Sequence, residues 1–367
     1  MKIESIAWLA AALLAASPAL SDDFKEESAF FRVNIGGHVI RLEGLTVKRA
    51  DATDRLPIAL ITHGKPTNLQ DMLDTHVENL KGQAKDLASR GWLAVVVIRR
   101  GFGQSDGPMP APASCRSTSL VQRFSADADD LEATLNAVAR RPDADPTRMI
   151  AIGASTGGAA VIALSARNPK NLLGVINVSG GLRFTGCSKE DLLVDAMKAF
   201  GSKSRVSSLW LYAKNDSSFG PDLVERMRSA FLDGGGDARL VMFDPIGQDG
   251  HTLFSAGAGR FKWLPEMDAF LRFHDLPTWQ REDVNALINR LDGGERNRDF
   301  IEGFVAAPFE KALARVPGRP FPNLFGAWGY NTIGNARNNA LSGCQKQKPQ
   351  EQCMIVMENG RWIGLIQ

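Results

Sequence analysis

The stretch Met149-Ile150-Ala151-Ile152-Gly153-Ala154-Ser155-Thr156-Gly157-Gly158 decides the fold. MIAI is a short apolar run suited to a strand buried on both faces. The run GGAAVIALSA that starts at Gly157 is helix-forming. Between them, Gly153 to Gly157 spells Gly-x-Ser-x-Gly. That string marks a sharp strand-to-helix turn presenting a serine hydroxyl, with the helix N-terminus facing any negative charge that develops there. Gly157, Gly158 and Ala159 let the helix approach the sheet closely. A second match, Gly103-Gln104-Ser105-Asp106-Gly107, is followed by Pro108-Met109-Pro110, which cannot start a helix promptly. Ser155 is therefore the candidate nucleophile, and Ser105 reads as a turn residue in a loop.

Working outward, strands and helices alternate. Phe30–Ile35 and His38–Lys48 read as a hairpin turned at Gly36-Gly37. PIALIT (57–62) is a buried strand. One helix is expected from Leu69 to Leu87, capped by Asn68 and stopped at Gly91. WLAVVVI (92–98) is the next strand, followed by a Pro- and Ser-rich loop over 101–119. Ser125 is expected to cap a helix, with Asp127, Asp129 and Asp130 near its start. Further strands are expected at Leu172–Val178, Ser208–Ala213 and Ala238–Phe243. Helices are expected at Asp191–Phe200, Leu223–Leu232 and Met267–Phe273. This alternation predicts an α/β fold: a mostly parallel, doubly wound sheet with helices on both faces. Beyond 280 the pattern breaks. A polar helical stretch (281–307) leads to a small α+β module (308–367), in which Asn359-Gly360 signals a hairpin turn. The run Asp292–Arg298 reads as a boundary with few buried contacts.

A serine nucleophile needs a base, and the base an orienting acid. Of five histidines, only His251 and His274 follow Ser155. His251 lies in the loop after the last strand of the sheet, where such folds place their sites. His274 falls at a helix end. His38 and His76 read as a hairpin-turn and a helix residue, and His63 as a hydrogen-bonded residue shaping its loop. For the acid, Asp216 leaves the preceding strand. Asp222 starts a helix, and Asp244 and Asp249 share the loop of His251. Two backbone N–H groups should bind the oxyanion: Thr156, just after the serine, and Lys65, after Gly64.

Composition bounds the rest. With 44% hydrophobic and 23% charged residues the chain is neither disordered nor a coiled coil. A formal charge of +2, without a basic run, gives no footprint for nucleic acid. Residues 1–21 resemble a secretory signal peptide: Lys2, the apolar run Ile6–Ala16, then Ser17-Pro18-Ala19-Leu20-Ser21. That apolar run is too short to span a bilayer, which takes about 20 residues. The four cysteines of an exported chain then suggest disulfides. Cys344 and Cys353, close in sequence within the module, are expected to pair, which leaves Cys115 with Cys187. No Cys/His cluster suggests a metal site.

Over about 30–276 these residues together resemble the α/β-hydrolase superfamily. The likeness is carried by His63-Gly64, the Arg100-Gly101-Phe102-Gly103-Gln104-Ser105 loop, the Ser155 turn, Asn215-Asp216 and Gly250-His251. The RGxGxS loop looks like that of dienelactone hydrolase-like and serine aminopeptidase-like members. Dienelactone hydrolases proper commonly use a cysteine nucleophile, so Ser155 points to plain ester hydrolysis. The C-terminal segment looks like a small cysteine-paired module appended to secreted bacterial proteins. The resulting expectation is a periplasmic or secreted serine hydrolase (22–280 as the hydrolase domain) that needs no cofactor and acts on a small ester. A peptidase of short peptides, or a non-catalytic binding module, are the alternatives. Only one short helix fits between 172 and 208, which implies a small cap and an open site. Phe102, Phe184 and Phe219 fall in loops that could line an acyl pocket, and each also suits the core. Acyl group, alcohol and oligomeric state are not legible.

Overall fold

A computed structural model describes residues 24–109, 114–183, 189–278, 281–291, 294–319, 323–330 and 332–363. The leader expected at 1–21, Phe184 and Cys187 lie outside the described residues.

The first two strands, β1 (Phe24–Ile35) and β2 (His38–Arg49), form the expected hairpin, with Gly36 and Gly37 both at positive φ. Then come β3 (Leu56–Thr62), α1 (Leu69–Leu73), α2 (Lys81–Ala88) and β4 (Leu93–Val97). They are followed by α3 (Ser117–Val138), β5 (Ala144–Ala154), α4 (Thr156–Ser165) and β6 (Leu172–Val178). The unit closes with α5 (Lys189–Gly201), β7 (Ser207–Ala213), α6 (Pro221–Asp233), β8 (Ala238–Phe243) and α7 (Gly257–Phe273). The eight strands form one sheet in the order β1-β2-β4-β3-β5-β6-β7-β8. From β4 to β8 every pairing is parallel; β1–β2 and β2–β4 are antiparallel. One core packs α3, α4, α5 and α6 on one face of the sheet, and the other packs α2 and α7 on the opposite face. The central strands are apolar throughout because both of their faces are covered. All ten residues of α4 are buried for the same reason.

Three expectations are corrected. The single helix expected over 69–87 breaks into α1, a 3-10 turn (Val77–Leu80) and α2. At the break the Glu43 carboxylate accepts from the Val77 N–H at 3.2 Å and stands 3.1 Å from His76 Nδ1, and Asn79 Oδ1 accepts from the His76 N–H at 2.8 Å. Second, α3 starts at Ser117, so Ser125 is interior. Its aspartates do not serve the helix dipole: Asp127 faces Arg99 and Arg123, Asp130 faces Arg100, and Asp129 faces Arg167. Third, α7 starts at Gly257, ten residues earlier than expected, and carries Pro265 inside it. Between β6 and β7, α5 packs against α3 and α6 as an ordinary sheet-covering helix.

The remaining elements are α8 (Arg281–Arg290), α9 (Arg298–Ala306), β9 (Ala312–Arg315), β10 (Leu324–Ala327), α10 (Ile333–Gln347), β11 (Met354–Glu358) and β12 (Arg361–Trp362). They build a second, antiparallel sheet ordered β10-β9-β11-β12. Ala312 and Ala314 face α10, while Leu313 faces α8 and α9. Asn359 and Gly360 sit at positive φ in the β11–β12 turn. Cys344 and Cys353 form a disulfide, as expected. Cys115 is also disulfide-bonded.

The residues just past the expected boundary pack back onto the first unit. Phe309 belongs to its core and meets Phe24 edge-on at 4.8 Å. The Phe309 N–H donates to Asp86 at 3.0 Å, and Lys85 pairs with Glu310 at 2.9 Å.

Candidate active site

The turn between β5 and α4 places Ser155 at φ 53, in the left-handed region that a non-glycine residue enters only under constraint. The constraint is close packing. A Cβ on Gly153 would lie 2.2 Å from the Gly157 carbonyl oxygen, and one on Gly157 would lie 2.4 Å from that of His63. The backbone of Ser155 is tied on both sides: its N–H donates to the Val178 carbonyl at 2.9 Å, and its carbonyl accepts from Gly181 at 3.0 Å.

Three expected side chains meet here. Ser155 Oγ lies 3.2 Å from His251 Nε2, and His251 Nδ1 lies 3.0 Å from Asp216 Oδ1. His251 sits in a 3-10 turn after β8 that Asp249 caps, accepting from the His251 N–H at 2.9 Å. Asp216 lies past the end of β7, its side chain fully buried. It accepts from the Ser218 and Phe219 N–H groups at 2.8 and 3.1 Å, which fixes the carboxylate against the imidazole. In this arrangement His251 Nδ1–H donates to Asp216, leaving Nε2 free to accept from Ser155.

The rivals stand elsewhere. Asp222 is in the first turn of α6, and Asp244 pairs with Lys214 on the surface. His274 caps the end of α7. Ser105 donates to the Ile98 carbonyl at 2.6 Å and accepts from the Glu43 N–H at 2.9 Å, so it holds its loop. His63 is also a loop residue. Its Nδ1 lies 2.6 Å from the Gly64 carbonyl, and its Nε2 accepts from the Arg99 N–H at 3.0 Å. Burial, with Arg99 second, keeps its imidazole well below the ordinary range and hence neutral.

Thr156 is the first residue of α4, so its N–H is one of the donors a helix leaves unpaired. Gly64 approaches closely enough that a Cβ there would lie 3.0 Å from Ser155 Cβ, which places the β3 exit and Lys65 beside the serine. Burial, then Arg123, pulls the Lys65 ammonium below its usual value.

Ser155 and His251 open onto a cavity of about 450 Å³, which they share with Lys65, Asp71, Leu80 and Phe254. Of the two readings open for Phe102 and Phe219, acyl pocket or core, the structure gives the core. Phe102 is fully buried against His63, and Phe219 is a core residue packed 5.5 Å from the His251 ring. The walls come instead from α1, the 3-10 turn and the segment after His251, because the broken helix swings those residues over the serine. Sequence reasoning also passed over Arg99. Its signal is a charged residue closing an otherwise apolar strand. Among the described residues, no group of three metal-ligating side chains is gathered.

Residues 73–219 match the family model of serine aminopeptidase, S33. Among solved structures, the chain is similar to the acylaminoacyl peptidase of Pyrococcus horikoshii at 17% identity and a TM-score of 0.50, over 71% of this chain and 43% of that one. It is also similar to Thermogutta terrifontis esterase 2 (15% identity, TM-score 0.49, 70% of this chain and 96% of that one). A third is a dienelactone hydrolase-like promiscuous phosphotriesterase from metagenomic libraries (16% identity, TM-score 0.42, 60% and 82%). The fold is that of the α/β-hydrolases. The chain's likeness to serine aminopeptidases lies in residues 73–219.

Proposed function

We propose that the protein is an exported carboxylesterase acting through an acyl-enzyme on Ser155. The hydrogen-bonded chain Ser155–His251–Asp216, opening onto the 450 Å³ cavity, carries this reading. His251 Nε2 takes the Ser155 proton as Oγ attacks the ester carbonyl. Asp216 holds Nδ1–H and stabilises the imidazolium. The oxyanion of the tetrahedral intermediate accepts from the Thr156 and Lys65 N–H groups. Collapse expels the alcohol, which takes the proton from His251. Water, activated by the same histidine, then releases the acid and restores Ser155.

The same groups cleave amides. The match to the serine aminopeptidase model, and Asp71 on the cavity wall, favour a peptidase of short peptides as the second reading. Export is supported by the leader-like residues 1–21 and by the Cys344–Cys353 disulfide.

A fluorophosphonate probe tests the nucleophile: it should label the native protein and leave Ser155→Ala unlabelled, and labelling of Ser155→Ala would overturn the assignment. p-Nitrophenyl esters of increasing length against aminoacyl nitroanilides separate the two readings. Turnover confined to the anilides would replace esterase by peptidase.

A further inference from the structure

At the exit of β4, the Arg99 side chain is completely buried and does not reach the cavity. Its Nη1 donates to Thr62 Oγ1 at 2.7 Å and to the His63 carbonyl at 2.6 Å. Its Nη2 donates to Thr156 Oγ1 at 3.0 Å. Its backbone N–H donates to His63 Nε2 at 3.0 Å, and that ring turns back onto the Gly64 carbonyl. Asp127, 3.4 Å from Arg99 Nε and fully buried, balances the charge and itself lies 3.5 Å from Arg123. Phe102 lies under the guanidinium.

Burying a cation costs several kcal/mol and is weak support for stability as such, since apolar side chains of the same volume do as well. What an apolar side chain cannot do is bond two elements at once with a rigid planar fork. One arm grips the β3 exit at His63, two residues before Lys65. The other grips the first residue of α4, Thr156. Gly157 shows how close the two elements stand here, with no room for a Cβ against the His63 carbonyl. We infer that Arg99 is a positioning residue that fixes the separation of the Lys65 and Thr156 N–H groups, so that both meet the oxyanion of the tetrahedral intermediate. The inference rests on the proposed reading of Ser155 as nucleophile.

Two variants test it. Arg99→Lys keeps the charge opposite Asp127 and loses the fork. Thr156→Val keeps the shape and the N–H and loses the acceptor. With a p-nitrophenyl ester, kcat should fall about 10- to 100-fold in each, below the 10²–10³ that loss of a whole oxyanion donor costs. KM should stay within about twofold, since the bound ester carbonyl needs the donors far less than the oxyanion does. Affinity for a boronic acid, whose tetrahedral adduct places an oxygen in the oxyanion position, should fall in parallel with kcat. The pH profile should keep its midpoints, because His251 and Asp216 are untouched. The double variant should lose less than the product of the single losses, since both break one fork.

Native kcat and native boronate affinity in Thr156→Val would overturn the inference, as would multiplicative losses in the double variant. If Arg99→Lys does not fold, Thr156→Val alone decides. Ser155→Ala run alongside separates the two readings. If it retains turnover, the nucleophile assignment fails; if it is inactive while Thr156→Val is native-like, only the role of Arg99 fails.

Discussion

At the scale of single residues, the site depends on which of two nearby carboxylates faces which part of His251. Asp216 meets Nδ1, whereas Asp249 accepts from the His251 backbone N–H and from the N–H and hydroxyl of Ser217. Asp216→Asn preserves shape but removes the charge and the preference for the working tautomer, so kcat should drop about 10³- to 10⁴-fold. Asp249→Asn can still accept from the same N–H and should lose less than about tenfold. Steady-state kinetics of the two variants on one ester check this, and equal losses would refute the assignment of Asp216. Sequence order alone named Asp216 because it leaves the strand before the histidine. Its partners at Ser218 and Phe219 were not legible, since they depend on how that loop turns.

At the scale of elements, function rests on how closely α4 approaches β3. Gly157→Ala would put a methyl group into the His63 carbonyl and push the two apart. We expect a lower melting temperature, by about 1–3 kcal/mol of overpacking, together with slower fluorophosphonate labelling. Native labelling in a stable Gly157→Ala protein would show that this approach is not critical. The Cys344–Cys353 disulfide joins the end of α10 to the start of β11, a separation of nine residues. A loop of that length predicts about 2–3 kcal/mol from the chain-entropy relation. The double Cys344→Ser, Cys353→Ser variant should lose that much in denaturant unfolding while its labelling rate stays native, since the bridge lies outside the catalytic sheet. Elements were legible where periodicity was strong, as in β6, which runs over the residues expected. The single helix read over 69–87 is interrupted where His76 and Val77 meet Glu43, a residue on a strand distant in sequence.

At the scale of the whole molecule, the second sheet is fastened by a buried lysine. Lys311 Nζ donates to the carbonyls of Phe304, Val305 and Ala307 at 2.9, 2.6 and 3.0 Å, closing the end of α9 beside the rings of Phe304 and Phe309. Burial, with Arg90 next, pushes its ammonium down to about 7. The unfolded chain then binds more protons than the folded one between pH 7 and the ordinary lysine value of 10.5, so stability rises with pH across that window. One proton gives at most about 1.4 kcal/mol per pH unit. Denaturant midpoints from pH 7 to 9.5 should rise in the native protein, and part of that slope should vanish in Lys311→Met. That variant should be the less stable of the two at pH 9.5, by about 1–3 kcal/mol, because it strands the helix-end carbonyls, and the gap should narrow toward pH 7. An unchanged slope would place the titration elsewhere. A chain ending near residue 300 should melt lower than the full chain, because it loses Phe309 from the core and the N–H that Asp86 accepts. An equal melting temperature would support the polar stretch at 292–298 as a true boundary.

The local pattern by itself determined the alternating α/β order, the turn at Ser155, the capping of α1 by Asn68 and the chain order of the three residues that meet at the site. These depend on interactions within a few residues, or on a periodicity that any buried strand must obey. Only the tertiary structure decided which side chains wall the cavity, why Asp127 and Asp130 lie inside a helix, and what Arg99 and Lys311 bond. A buried charge is stable only opposite partners far away in sequence, and no local pattern records where the fold will bring them.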